Sequence, residues 1–273
     1  MFKQLALLPG LLLGVSSAFA QGQPANSASV ADVALLAKIR HDYDTPFKRN
    51  LASFNCSVEF DWKQHVIDVV GKVPEPLVPS IDALQKVKHR VSVDYSHAAL
   101  TTLPGYPDLS GVAHGQDLEG SFTGIVTAGL NAWVPSAADL LLPSGPTHYS
   151  FTKLDSGYEL AMSGPGVAAK LLLSDDLRMT NGVSQQPQPL RFNTSFTNGP
   201  EGFLLGSMQT SDTASMGHDA EFDYSYADIE GFQLPTGVTV KSATGETWHY
   251  SLRDCKVVKF VKLKVQTLPL KPQ

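Results

Sequence analysis

Cysteine is scarce in this chain, with two among 273 residues. Neither has a second Cys or a His at ligand spacing, which excludes a zinc ribbon, and two thiols are too few for a disulfide-dense scaffold. Charge is also sparse: 17% of residues are charged, and 21 basic against 26 acidic residues give a net charge of −5. No basic footprint for nucleic acid exists, and nothing draws the chain strongly to anionic lipid. Beyond the first twenty residues no apolar run approaches the ~18 needed for a membrane-spanning helix. Missing too are a G-x-S-x-G elbow, an H-E-x-x-H zinc motif, a phosphate loop and a Gly-rich dinucleotide turn. A hydrophobic content of 42% nevertheless supplies a real core, which rules out disorder and collagen-like architecture.

The N-terminus reads as an address. Met1-Phe2-Lys3 starts it with a positive charge, Leu5 to Val15 is apolar apart from Pro9, Gly10 and Gly14, and Ala18-Phe19-Ala20 forms an A-x-A cleavage site. Residues 1–20 are therefore expected to be a signal peptide, with export to the bacterial periplasm or the extracellular space. No cysteine follows the cleavage site to accept a lipid. Residues 21–28 are small and polar, a disordered leader. In an oxidising compartment Cys56 and Cys255 can pair, and the chain-entropy account gives roughly 5 kcal/mol as an upper figure for closing a loop of about 200 residues. Two buried free thiols are the alternative.

Ser29 and Asp32 form an N-cap pattern ahead of a first helix to about Tyr43, with Val33, Leu36, Ala37 and Arg40 as its stripe, joined by Leu35 and Ile39. Pro46 can begin a further turn carrying Phe47, Leu51 and Phe54 inward. Phe54, Cys56, Val58, Phe60 and Trp62 then alternate with polar residues, a half-buried strand. His65 to Val70 is read as its hairpin partner, Lys72 to Pro79 as a proline-rich loop, Ser80 as the cap of a short helix over 81–87, and 89–96 as a strand. Between 101 and 146 lies a helical insertion in which Phe122, Ile125, Val126, Gly129 and Trp133 share one helical face. Its near lack of charge implies cover on more than one side.

From Tyr149 onward, apolar segments at short spacing are joined by turn residues such as Asp155-Ser156-Gly157, Ser174-Asp175-Asp176 and Asn198 to Gly202. They predict a long antiparallel meander. Trp248, Tyr250 and Leu252 place even positions inward, whereas Val257, Val261, Leu263 and Val265 place odd ones there. A bulge at Arg253-Asp254 accounts for the slip and turns Cys255 to the face of Cys56. The fold class expected is mainly β with α: one large curved antiparallel sheet, an open half-barrel, with an N-terminal helix and covering helices over residues 29–273.

Candidate chemistry is thin. His41 with Asp42 and Asp44 ends the first helix, where a His is favoured by the helix C-terminus; His218-Asp219 sits in a polar loop; Asp175-Asp176 fills a turn. No catalytic residue, metal ligand or cofactor is assigned. The apolar stripe has two readings, a helix packed on the sheet as core or a removable cover over a groove.

This outline, and most sharply the run from Phe222 to Val240 with its aromatic strand, Asp228-Ile229-Glu230-Gly231 turn and Leu234-Pro235 step, resembles the periplasmic lipoprotein-carrier (LolA/LolB-like) half-barrels. The resemblance implies a carrier holding acyl chains in an open half-barrel under helical covers. The chain departs from that family in its length, its loop at 72–79 and its segment 101–146, and no ligand-gating residue of the family can be placed on it. The expected function is an exported soluble carrier or binding protein for a lipid or a lipidated partner. Phe122, Ile125, Val126 and Trp133 would close the groove, opposite Phe192 and Phe203. The alternatives are a non-enzymatic envelope scaffold or interaction module with a filled core and, more remotely, a hydrolase whose site carries no recognisable motif.

Overall fold

The computed structural model describes residues 28–105, 107–144, 147–186, 190–212 and 220–260. The expected signal peptide, nearly all of the expected leader, His218-Asp219 and the positions Val261, Leu263 and Val265 lie outside them.

Twelve strands form one antiparallel sheet: β1 (Leu51–Phe60), β2 (His89–Asp94), β3 (Ala98–Thr102), β4 (His148–Lys153), β5 (Tyr158–Gly164), β6 (Val167–Leu173), β7 (Met179–Gln186), β8 (Leu190–Gly199), β9 (Gly202–Asp212), β10 (Ala220–Ile229), β11 (Phe232–Ser242) and β12 (Thr247–Lys259). Their order is β3-β2-β1-β12-β11-β10-β9-β8-β7-β6-β5-β4, so β3 and β4 are edges and the sheet stays open. Every neighbour is also a neighbour in sequence except at β1 and β12, where the two ends of the meander meet. The expected bulge sits at this seam. Asn55 faces Lys256 while Ser57 faces Arg253, leaving Asp254 and Cys255 opposite Cys56, with Asp254 at φ 48°. Cys56 and Cys255 are disulfide-bonded across it, 199 residues apart in sequence.

Among the described residues, four α-helices accompany the sheet: α1 (Val30–Asp42), α2 (Trp62–Val70), α3 (Val78–Leu84) and α4 (Gly115–Ala137). The Ser29–Asp32 capping box forms as its spacing predicts. However, α1 buries Leu36 and Ile39 and continues into buried Tyr43, while Val33 and Ala37 face outward. The inward stripe is therefore rotated from the predicted one.

Two other assignments change. Residues 62–70 form α2, not a strand end and hairpin partner, because Asp61 accepts from the Gln64 amide at 2.9 Å and Gly71 closes the helix at φ 80°. Trp62, His65 and Val66, spaced for one helical face, are its buried residues. Near residue 80, the helix starts two residues before the expected cap, with Pro79 in its first turn; Ser80 instead donates its hydroxyl to the Ala113 carbonyl at 2.7 Å.

Candidate functional site in the trough of the sheet

The inner face of the sheet divides in two. Over β10, β11, β12, β1 and β2 lies α4, with Phe122, Val126, Leu130 and Trp133 buried to between 0 and 3% exposure. Phe122 meets Phe60, Trp62 and His89, and Trp133 meets Phe47 and Phe54. Backbone contacts then fasten the helix. The Tyr250 hydroxyl donates to the Val126 carbonyl at 3.2 Å and the Tyr224 hydroxyl to the Gly129 carbonyl at 2.8 Å. Trp133 Nε1 donates to the Tyr226 hydroxyl at 3.0 Å, which in turn donates to the Leu205 carbonyl at 2.7 Å. Burial raises the pKa of all three tyrosines, so they remain neutral donors at any ordinary pH.

Edge strand β3 runs alongside α4. Thr102 donates to Glu119 at 2.7 Å near one end, and the Ala98 amide donates to Asn131 Oδ1 at 2.7 Å further along. The helix thereby occupies one of the edge's free amides, a guard against pairing with another chain. Besides the sheet face and β3, α3 and residues 109–111 also contact α4, so it is covered on more than one side, while the strip of Ser121, Gly124, Ala128 and Asn131 is exposed among the described residues. Small uncharged residues there leave the helix weakly polar without needing a partner.

Beyond β9 the trough is covered differently. Leu160, Leu171, Leu173 and Met179 are buried. Leu35 and Leu142, from α1 and the segment after α4, belong to the same apolar core. At the margin, Tyr149, Phe151, Tyr158, Val167 and Ala169 pack on that core while staying partly exposed. Tyr43 at the end of α1 is a structural peg. Its hydroxyl donates to the Leu177 carbonyl at 3.2 Å and accepts from the Met179 amide at 2.6 Å, and its ring meets Phe196 and Phe203 edge-on.

A polar latch joins α1 to the segment after α4. Asp139, whose side chain is 3% exposed, receives Arg40 Nε at 3.1 Å and the Lys48 ammonium. Arg40 also donates to the Pro143 carbonyl. Close by, Asp44 pairs with Arg49 at 2.8 Å, yet its Oδ2 is buried without a partner among the described residues. Desolvation outweighs the nearby guanidinium and raises the Asp44 pKa.

The six residues singled out from sequence are thus placed in three groups. Phe122, Val126 and Trp133 are core beneath α4, with Ile125 half-buried beside them. Phe203 meets Tyr43 edge-on, and the Arg178 guanidinium lies over its ring at 4.4 Å. Phe192, on β8, lies over Gly182 against Leu171. The tyrosine pins and the Arg40–Asp139–Lys48 latch carry no spacing that marks them in the sequence, since their partners are backbone atoms or lie about a hundred residues away. Asp175 acts as its turn position predicts, accepting from the Gly157 amide and Lys153. Among the described residues, no cluster of three His, Cys, Asp or Glu side chains could hold a metal ion, and no helix is long and apolar enough to cross a membrane.

Comparison with protein-family models, curated proteins and solved structures found no match to this chain. What stands is a large open antiparallel sheet with helices on its inner face.

Proposed function

We propose that the protein is an exported carrier for an apolar ligand such as a lipid or the acyl chain of a lipidated partner. The ligand lies on the β4–β8 half of the trough beneath α1 and residues 138–144. The observation that carries this reading is the division of the inner face. Its α4 half is pinned by tyrosine hydrogen bonds, whereas its other half passes from buried Leu160 and Leu171 to partly buried Tyr149, Phe151 and Tyr158 at the margin, with α1 and the segment after α4 joined by ion pairs. Each methylene buried there contributes about 0.8 kcal/mol, so one acyl chain can be held without a charged contact. On this reading Phe192, on β8, belongs to the ligand's half, Phe203, on β9, stands at its boundary under Tyr43, and Phe122, Val126 and Trp133 form the fixed wall beyond it. In general outline, an open antiparallel sheet with helices on its inner face resembles the lipoprotein-carrier half-barrels.

Extraction of the purified protein with organic solvent, followed by mass spectrometry, and displacement of an apolar fluorescent probe by oleate test the reading. Bound lipid or saturable displacement is expected, weakened severalfold in Phe151→Glu and unchanged in affinity in Trp133→Ala. A filled scaffold is the second reading, favoured by the tyrosine pins on α4. It predicts neither lipid nor displacement in any variant, and that result would remove the carrier.

A further inference from the structure

At the opposite margin of the sheet, where β3 ends beside the first turns of α4, lies a cleft of about 310 Å³. Thr102, Asp108, Gln116 and Glu119 line it with polar groups, and Leu103, Pro104 and Leu109 are among its apolar walls. Among the described residues, the lining includes two carboxylates and no Lys, Arg or His. Asp108 is held below the usual carboxylate range by Ser110, whose hydroxyl and amide both donate to it, and so stays charged in mild acid.

Glu119 is set up from behind. Its Oε1 accepts the Thr102 hydroxyl at 2.7 Å and lies 3.5 Å from Nε2 of His89, an imidazole 3% exposed on the neighbouring strand and set against the Phe122 ring. That Nε2 is too far for a proper hydrogen bond and is a buried polar atom without a partner among the described residues, directed at the carboxylate that faces the cleft. Burial lowers the His89 pKa, which leaves the imidazole neutral and the charge on Glu119 uncancelled. The group that orients the carboxylate is the Thr102 hydroxyl, which donates to Oε1.

We propose that this cleft binds a small organic ammonium ion carrying a short apolar body, with Glu119 as the principal acceptor, Asp108 as a second charge and the Leu103–Pro104–Leu109 wall against the carbon skeleton. A cation exchanges part of its water for two carboxylates, a hydroxyl and an amide oxygen, while its carbon skeleton leaves water against the apolar wall. Anions of the same shape are repelled. This site is separate from the apolar trough and stands whether or not the trough carries lipid.

The test is amide NMR titration of the ¹⁵N-labelled protein with phenethylammonium and, separately, with phenylacetate. Saturable shifts at Thr102, Gln116 and Glu119 are expected with the cation only. Glu119→Gln should keep the spectrum of a folded protein and lose about tenfold in affinity, the equivalent of one charge-assisted hydrogen bond. Asp108→Asn should weaken binding to a smaller extent, and added salt should weaken it in the native chain. Equal response to both probes, undiminished affinity in a folded Glu119→Gln, or no saturable shift with the cation would each overturn the proposal.

Discussion

Trp133 shows how much one side chain can be asked to do in this wall. Its ring meets Phe47 and Phe54 and its indole N–H completes the chain through Tyr226 to Leu205. Trp133→Ala should cost about 3–5 kcal/mol in urea unfolding, the range for large aromatic truncations in a core. His89 makes a pH prediction. Its folded-state pKa lies below the unfolded value, so the unfolded chain binds the extra proton as acidity rises. The charged group facing it is Glu119 on α4, which opposes the shift without overcoming it. Stability from this group is complete above about pH 6.5 and declines as the pH falls toward the folded-state pKa. His89→Phe should flatten that part of the pH profile of the urea midpoint. At this scale the sequence was informative about burial and silent about partners. Alternation turned Tyr224, Tyr226 and Tyr250 inward, but nothing in it indicated that their hydroxyls would grip a helix a hundred residues away.

Helix α4 is the element on which the trough turns. Its three interior glycines look alike in sequence and differ in space. A Cβ at Gly129 would lie 2.5 Å from the Tyr250 hydroxyl and 3.3 Å from Val238, whereas Gly120 and Gly124 have nothing within 4 Å of that position. Gly124→Ala should therefore stabilise the protein by up to about 1 kcal/mol, and Gly129→Ala should destabilise it despite the same gain in helix propensity; thermal melts compare the two directly. The helix itself was legible, since Phe122, Val126, Gly129 and Trp133 keep one face over three turns. Helix α2 was not, because the alternation from Phe54 runs on through Trp62, and only the Asp61 cap and Gly71 stop mark the change of period. Strand β3 escaped notice too: Ala98 to Thr102 is short, and its pattern reflects cover by α4 as much as pairing with β2.

For the whole molecule, the disulfide closes the seam where the chain's two ends pair. The sequence carried enough to anticipate it, through an even cysteine count and the phase slip near Arg253. Replacing Cys56 and Cys255 together by Ala should lower stability by about 2–5 kcal/mol in urea unfolding, as for other native disulfides. The order of β4 to β12 followed from turn chemistry in the meander, whereas the order of β1 to β3 did not, and the placement of α1 against β9 and the start of β7 depended on Tyr43 and the Asp139 latch, which only the assembled fold brings together. In the proposed carrier the β4–β8 half of the trough opens around a ligand while the α4 half stays shut. Hydrogen exchange with and without oleate separates the two halves. In a carrier, α1 and residues 138–144 exchange through a local opening well below global unfolding, and oleate alters protection there and in β5–β7 while α4 is unchanged. Exchange of α1 only with global unfolding, together with no change on adding oleate, would contradict it.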